Sequence, residues 1–171
     1  FQSPAALPWR AMAFGNGVFV LVGDGGVCAT STDGITWTYR TLPSTSNYYG
    51  VSYGNSTFVV VGSGSAAATS PDGITWTART LPAASTLWQA ITYGGGQFVA
   101  LQQSTTVAAT SPDGITWTQQ VLPAANTWIS VTYGNGLFTA VSVDGANQVM
   151  TSPDGITWTA RAEAEANAWA E

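Results

Sequence analysis

The chain has 171 residues, enough for one well-buried domain and short for two. Only 8% of it is charged, with no lysine, no histidine and a net charge of −5, which argues against a sequence-independent grip on nucleic-acid phosphates and against anionic membrane surfaces. Its one cysteine, Cys28, excludes an intramolecular disulfide and a cysteine metal cluster, and no apolar run approaches the roughly 18 residues of a membrane span.

Taken in chain order, four successive units each read as four strands, in blades of approximately residues 9–47, 48–86, 87–126 and 127–168 of a single domain. The first unit predicts strands over Trp9 to Phe14, Val18 to Val22, Val27 to Ser31 and Thr36 to Leu42. The second predicts Tyr48 to Tyr53, Thr57 to Val61, Ala66 to Ser70 and Thr75 to Leu81. The third predicts Trp88 to Tyr93, Gln97 to Leu101, Val107 to Ser111 and Thr116 to Leu122. The fourth runs Trp128 to Tyr133, Leu137 to Val141, Gln148 to Ser152 and Thr157 to about Ala162. The second strand is a continuous apolar run (Val18-Phe19-Val20-Leu21-Val22, Phe58-Val59-Val60-Val61), the pattern of a strand buried on both faces. Cys28 falls in such a pattern and reads as a small core residue.

The units are tied together by a repeated turn. Ser-Pro-Asp-Gly-Ile-Thr-Trp-Thr occurs at Ser70 to Thr77, Ser111 to Thr118 and Ser152 to Thr159, and Ser31 to Thr38 differs only by Thr32. Its aspartates, Asp33, Asp72, Asp113 and Asp154, are spaced by 39, 41 and 41 residues. A strand-rich repeat of about 40 residues is the signature of a propeller blade. The hairpins Asn16-Gly17, Gly95-Gly96 and Asn135-Gly136 suit tight turns with positive φ, whereas Asn55-Ser56 predicts a variant turn.

The pattern Ser-x-Asp-Gly-x-Thr-Trp resembles the Asp box of sialidase-type, bacterial-neuraminidase-repeat propellers. That resemblance implies an all-β propeller of four-stranded antiparallel blades, with the box as a hairpin between the third and fourth strands. It assigns Asp33, Asp72, Asp113 and Asp154 to turn hydrogen bonding and Trp37, Trp76, Trp117 and Trp158 to packing beneath the turn. It also invites a sialidase reading, which needs an arginine triad and a tyrosine–glutamate pair. Arg40, Arg79 and Arg161 fall at one repeated outer-strand position, and Glu163, Glu165 and Glu171 all lie in the C-terminal tail. Without histidine there is no Ser-His triad, and Asp24 and Asp144 are too few for a calcium cage. The sequence therefore predicts no enzyme, no cofactor and no metal.

Binding is expected on the face of the loops between second and third strands, which differ in length and chemistry where the other turns are uniform. There Trp9, Tyr48, Trp88 and Trp128 begin the first strands, followed by Arg10, Tyr49, Gln89 and Ile129. An aromatic plane beside a hydrogen-bonding group suits a sugar ring, so Trp9, Arg10, Tyr48, Tyr49, Trp88, Gln89 and Trp128 are the candidate ligand residues; the alternative is that the aromatics cap blade packing. The expected function is a non-enzymatic, lectin-like recognition or scaffold module binding glycans weakly and multivalently. The alternatives are a structural or adhesion module of a virion or cell surface, and an engineered or reconstructed repeat with no selected ligand. An extracellular, cell-surface or virion location fits, although no leader segment is visible.

Closure is the remaining question. Pro4-Ala5-Ala6 matches the linker Pro123-Ala124-Ala125, and Trp169 falls where another blade would begin. The chain is expected to close as a four-bladed ring, to pair with a second copy into an eight-bladed one, or to be four blades of a longer array. An open arc is the least favoured state, because its terminal blade faces would be sticky.

Overall fold

The computed structural model describes residues 8–82 and 87–161; the linker segment Pro4-Ala5-Ala6 and the restart at Trp169 lie outside them. The chain is all-β, with four antiparallel four-stranded sheets, each ordered as in the sequence. The first blade is β1 (Trp9–Gly15), β2 (Val18–Gly23), β3 (Val27–Ser31) and β4 (Thr38–Thr41). The second is β5 (Tyr48–Gly54), β6 (Thr57–Gly62), β7 (Ala66–Ser70) and β8 (Thr77–Thr80). The third is β9 (Trp88–Gly94), β10 (Gln97–Gln102), β11 (Val107–Ser111) and β12 (Thr118–Val121). The fourth is β13 (Trp128–Gly134), β14 (Leu137–Ser142), β15 (Val149–Ser152) and β16 (Thr159–Arg161).

Local chemistry makes each blade. Asn16 and Gly17 have φ of 48° and 74°, the double left-handed pair of the tight hairpin. Asn55 and Ser56, at 46° and 56°, form the same turn, which corrects the expectation of a variant: the hairpin imposes its geometry and Ser56 bears the strain. The outer strands start two residues later than expected, because the repeated turn keeps Thr36 and its counterparts. Asp33 Oδ1 accepts from the backbone N–H of Ile35 and Thr36, both at 2.8 Å. Asp72, Asp113 and Asp154 accept from the equivalent pairs. Each aspartate also takes a hydroxyl bond from the turn's serine. Trp76, Trp117 and Trp158 donate Nε1–H to the carbonyls of Gly73, Gly114 and Gly155 at 3.0–3.1 Å.

The core lies between blades. One layer joins Val20, Val22 and Cys28 to Val51, Phe58, Val60 and Ala68, and the next two repeat it one and two blades on. Phe58, Val59, Val60 and Val61 are all fully buried, as are Phe98 to Leu101, so the continuous apolar run is a two-faced strand, as its pattern implies. Burial pushes the Cys28 thiol up to about 12, in keeping with a packing role.

Interlocking is specific. A Cβ on Gly15, Gly54 or Gly94 would lie 1.9–2.0 Å from Cγ of Tyr53, Tyr93 or Tyr133 on the following blade. These glycines are the sockets for the next blade's ring. Likewise Gly73, Gly114 and Gly155 sit against the Val20, Val59 and Val99 side chains of the preceding blade.

Inner strand β1 packs on β5, β5 on β9 and β9 on β13, but among the described residues no comparable packing joins β13 to β1. Among the described residues the four blades therefore form an arc whose first and last blades are not packed on each other. The outward side of blade 1 leaves Met12 and Phe14 each 58% exposed, and the outward side of blade 4 leaves Leu137 40% exposed. No helix among the described residues is long and apolar enough to cross a membrane.

Candidate functional site

Each inner strand opens with a β-bulge. In the first blade Trp9 pairs with Gly23 and Ala11 with Val22, leaving Arg10 without an opposite residue. The same shift isolates Tyr49, Gln89 and Ile129 in the other three blades. A bulge re-aims the side chains around it, and here it separates two neighbouring rows.

The first row goes into the core. Tyr48, Trp88 and Trp128 are at most 1% exposed. Tyr48 Oη lies 3.0 Å from Ser44 Oγ, and Trp128 Nε1 donates to the Ala124 carbonyl at 3.2 Å. Trp9, at the open end of the arc, is half-buried and stacks on Tyr39 with ring centroids 6.3 Å apart. A sugar platform needs an exposed ring face, and three of these four rings have none. Of the two readings given above, the structure places Tyr48, Trp88 and Trp128 as caps on blade packing.

The second row stays in reach of solvent. Tyr49, Gln89 and Ile129 line one shallow hollow of about 160 Å³, with Ser130 and Ala11, so that all four inner strands contribute to it. Arg10 stands over Tyr49, its guanidinium carbon 5.7 Å from the ring centroid. Asp24 grips Arg10 at both ends, Nε to Oδ1 at 2.9 Å and Nη2 to Oδ2 at 2.6 Å. That pairing raises Arg10 above its ordinary value and holds Asp24 below its own. Asn47 completes the cluster: its Oδ1 accepts from the Gly25 N–H at 2.8 Å and its Nδ2 donates to Tyr49 Oη at 3.4 Å. The hollow thus offers a phenol ring, a carboxamide, a hydroxyl and an adjacent cation–carboxylate pair.

The loops around it are fixed by a bond that sequence reading missed. The carbonyls of Pro8, Asn47, Leu87 and Thr127, just ahead of the inner strands, accept from the N–H groups of Asp24, Ser63, Gln103 and Val143 at 2.9–3.2 Å. Backbone pairing of this kind leaves no trace in residue type. Asp144 is held by the backbone N–H and hydroxyl of Thr127, both at 2.6 Å, away from Asp24's partner. Arg40, Arg79 and Arg161 lie on the outer strands as expected, donating Nε–H to Thr30, Thr69 and Thr151. Gln120 does the same to Thr110, which makes this a cross-strand pair of the scaffold. Among the described residues no group of three His, Cys, Asp or Glu side chains is arranged to hold a metal.

No protein-family profile matches the sequence, and no curated protein is similar to it. Solved structures share its fold. The chain superposes on YCF48 bound to D1 peptide with a TM-score of 0.76 at 21% identity, covering 98% of this chain and 57% of that one. Against virginiamycin B lyase from Staphylococcus aureus, in a catalytically inactive form with quinupristin, the TM-score is 0.85 at 15% identity, covering 96% and 59%. The computationally designed Ika4 protein gives 0.65 at 10% identity, covering 88% and 93%. The chain therefore spans about three fifths of the length of the first two. At these identities the likeness is one of fold, a repeat β-propeller found in enzymes and non-enzymes alike.

Proposed function

We propose that this chain is a non-enzymatic recognition module whose ligand sits in the central hollow, and that its ligand class is glycan. The observation that carries the reading is the bulged row: four repeats each turn one unpaired side chain, Arg10, Tyr49, Gln89 or Ile129, toward one end of the arc. A ring face beside a carboxamide and a hydroxyl matches a sugar, which has an apolar face and polar edges. The hollow is shallow, so affinity per site is weak and useful binding comes from several copies on one surface. The absence of an enzyme activity is part of the proposal: the carboxylate beside the hollow, Asp24, is engaged by Arg10, and among the described residues no nucleophile–base pair faces it. We read the repeated Ser-x-Asp-Gly-x-Thr-Trp turn as an Asp box, supported by the same aspartate hydrogen bonds in all four blades.

The test is a titration with a panel of mono- and oligosaccharides followed by amide chemical shifts. Binding is expected to move Tyr49, Gln89 and Ile129 and to be lost in Tyr49→Ala and Gln89→Ala, both folded. Shifts confined to other regions, or turnover of a glycoside, would sink the reading.

A further inference from the structure

We propose that the two terminal blade faces dock on a second copy of this chain, head to tail, closing a ring of eight blades. The argument begins with the interface the chain already makes three times. Each internal junction seats an aromatic ring on the glycine that ends the preceding inner strand: Tyr53 on Gly15, Tyr93 on Gly54, Tyr133 on Gly94. Each also sets a turn glycine against the side chain of a second-strand valine, Gly73 on Val20, Gly114 on Val59 and Gly155 on Val99.

At the ends of the arc both devices are present by halves. Blade 1 carries the ring, Phe14, with no glycine beneath it, and it is 58% exposed. Blade 4 carries the glycine, Gly134, with nothing within 4 Å of where its Cβ would stand. Gly34 has only a distant contact, 3.8 Å, with Phe19 of its own blade, and Thr139 occupies the place of Val20 with no turn glycine upon it. The half-buried Phe19 and Leu21 repeat the face that Phe58 and Val60 bury, and Val141 and Val149 repeat the face of Val22 and Cys28.

A second copy therefore offers each open face the counterpart that the same sequence already buries internally, continuing an established interface. Because the two faces differ, the contact is heterologous, and two such contacts related by a twofold axis close the ring. Burial of apolar terminal faces drives the pairing.

Light scattering across a dilution series tests this with the full chain. The expected mass is twice the 17.7 kDa of one chain. Gly134→Val adds a side chain into open space in the single chain but fills the socket, so the mass is expected to fall to that of one chain with an unchanged circular dichroism spectrum. Leu21→Glu on the other face should do the same. Mixing the two variants leaves one intact pair of faces, so the dimer should return. A monomeric parent chain would overturn the proposal and leave the faces to other occupants, such as further blades of one polypeptide. A Gly134→Val dimer as tight as the parent, or a mixture that stays monomeric, would overturn it too.

Discussion

Gly94 and Gly134 occupy the same place in adjacent repeats, and substituting each by alanine should give opposite results. At Gly94 the new methyl would stand 2.0 Å from Cγ and 2.4 Å from Cβ of Tyr133, the root of that side chain rather than its tip. The ring cannot swing aside without leaving the Gly94 socket and its contact with Phe138, 4.7 Å away between ring centroids. Overpacking of this kind costs about 1–3 kcal/mol in ordinary cores and more where the obstacle is rigid, so we expect a loss of about 3 kcal/mol. At Gly134 the methyl meets nothing within 4 Å. Alanine there should gain about 0.5 kcal/mol from the smaller backbone entropy lost in a strand. Urea unfolding at high dilution, where chains are separate, would read the gap of about 3.5 kcal/mol directly. Equal effects at the two positions would refute the socket and with it the open end of the arc.

Other expectations follow from the same geometry. Ser56→Gly should stabilise the chain by about 1 kcal/mol in thermal or urea unfolding, since Ser56 bears a φ of 56° that glycine adopts freely; a neutral result would mean the turn is not left-handed in solution. Phe98→Ala, at a fully buried site, should cost about 3–5 kcal/mol, whereas Phe19→Ala, its half-buried counterpart, should cost clearly less; a reversed order would place the open face at the wrong end. Stability should also fall in acid. Backbone N–H bonds from Thr36 and Ile35 hold the Asp33 carboxyl down at about 2, and similar bonds lower Asp72, Asp113 and Asp154. A carboxyl lowered by folding stabilises fully above its unfolded value of about 3.9, and that contribution is lost as pH falls toward 2. Unfolding midpoints measured from pH 5 to pH 2 should drop, with a shallower drop in Asp72→Asn; a flat profile would contradict the turn hydrogen bonds.

The blades were legible because their signals are local and repeated: turn residues at fixed spacing, and apolar runs long enough to mark a two-faced strand. The same runs overstated burial at the ends, since Phe19 and Leu21 have the residue types of Phe58 and Val60 but no blade beside them. The binding row was legible only in part. Residue type placed an aromatic beside a hydrogen-bonding group at the start of three inner strands and beside Ile129 at the fourth, but the bulge decides which of the two faces inward, and nothing in Trp88-Gln89 or Trp128-Ile129 announces a bulge. Ser56 is a related case: its propensity argues against a left-handed turn, and the flanking strands override it. Closure depends on how far each blade rotates from the last, a sum of side-chain sizes across three interfaces that no single residue encodes.

The most direct test of the open, self-complementary arc is a bismaleimide cross-link between Thr32→Cys and Asn135→Cys, made together in one chain with Cys28→Ala; these exposed rim positions are the equivalents of Pro112 and Asn55, which meet across an internal junction, and they leave the ring and its socket intact. The cross-linker should yield a covalent species of two chains, joined first blade to last. A cross-link within one chain would show a closed four-bladed ring instead, and no cross-link at all would show that the two faces never meet.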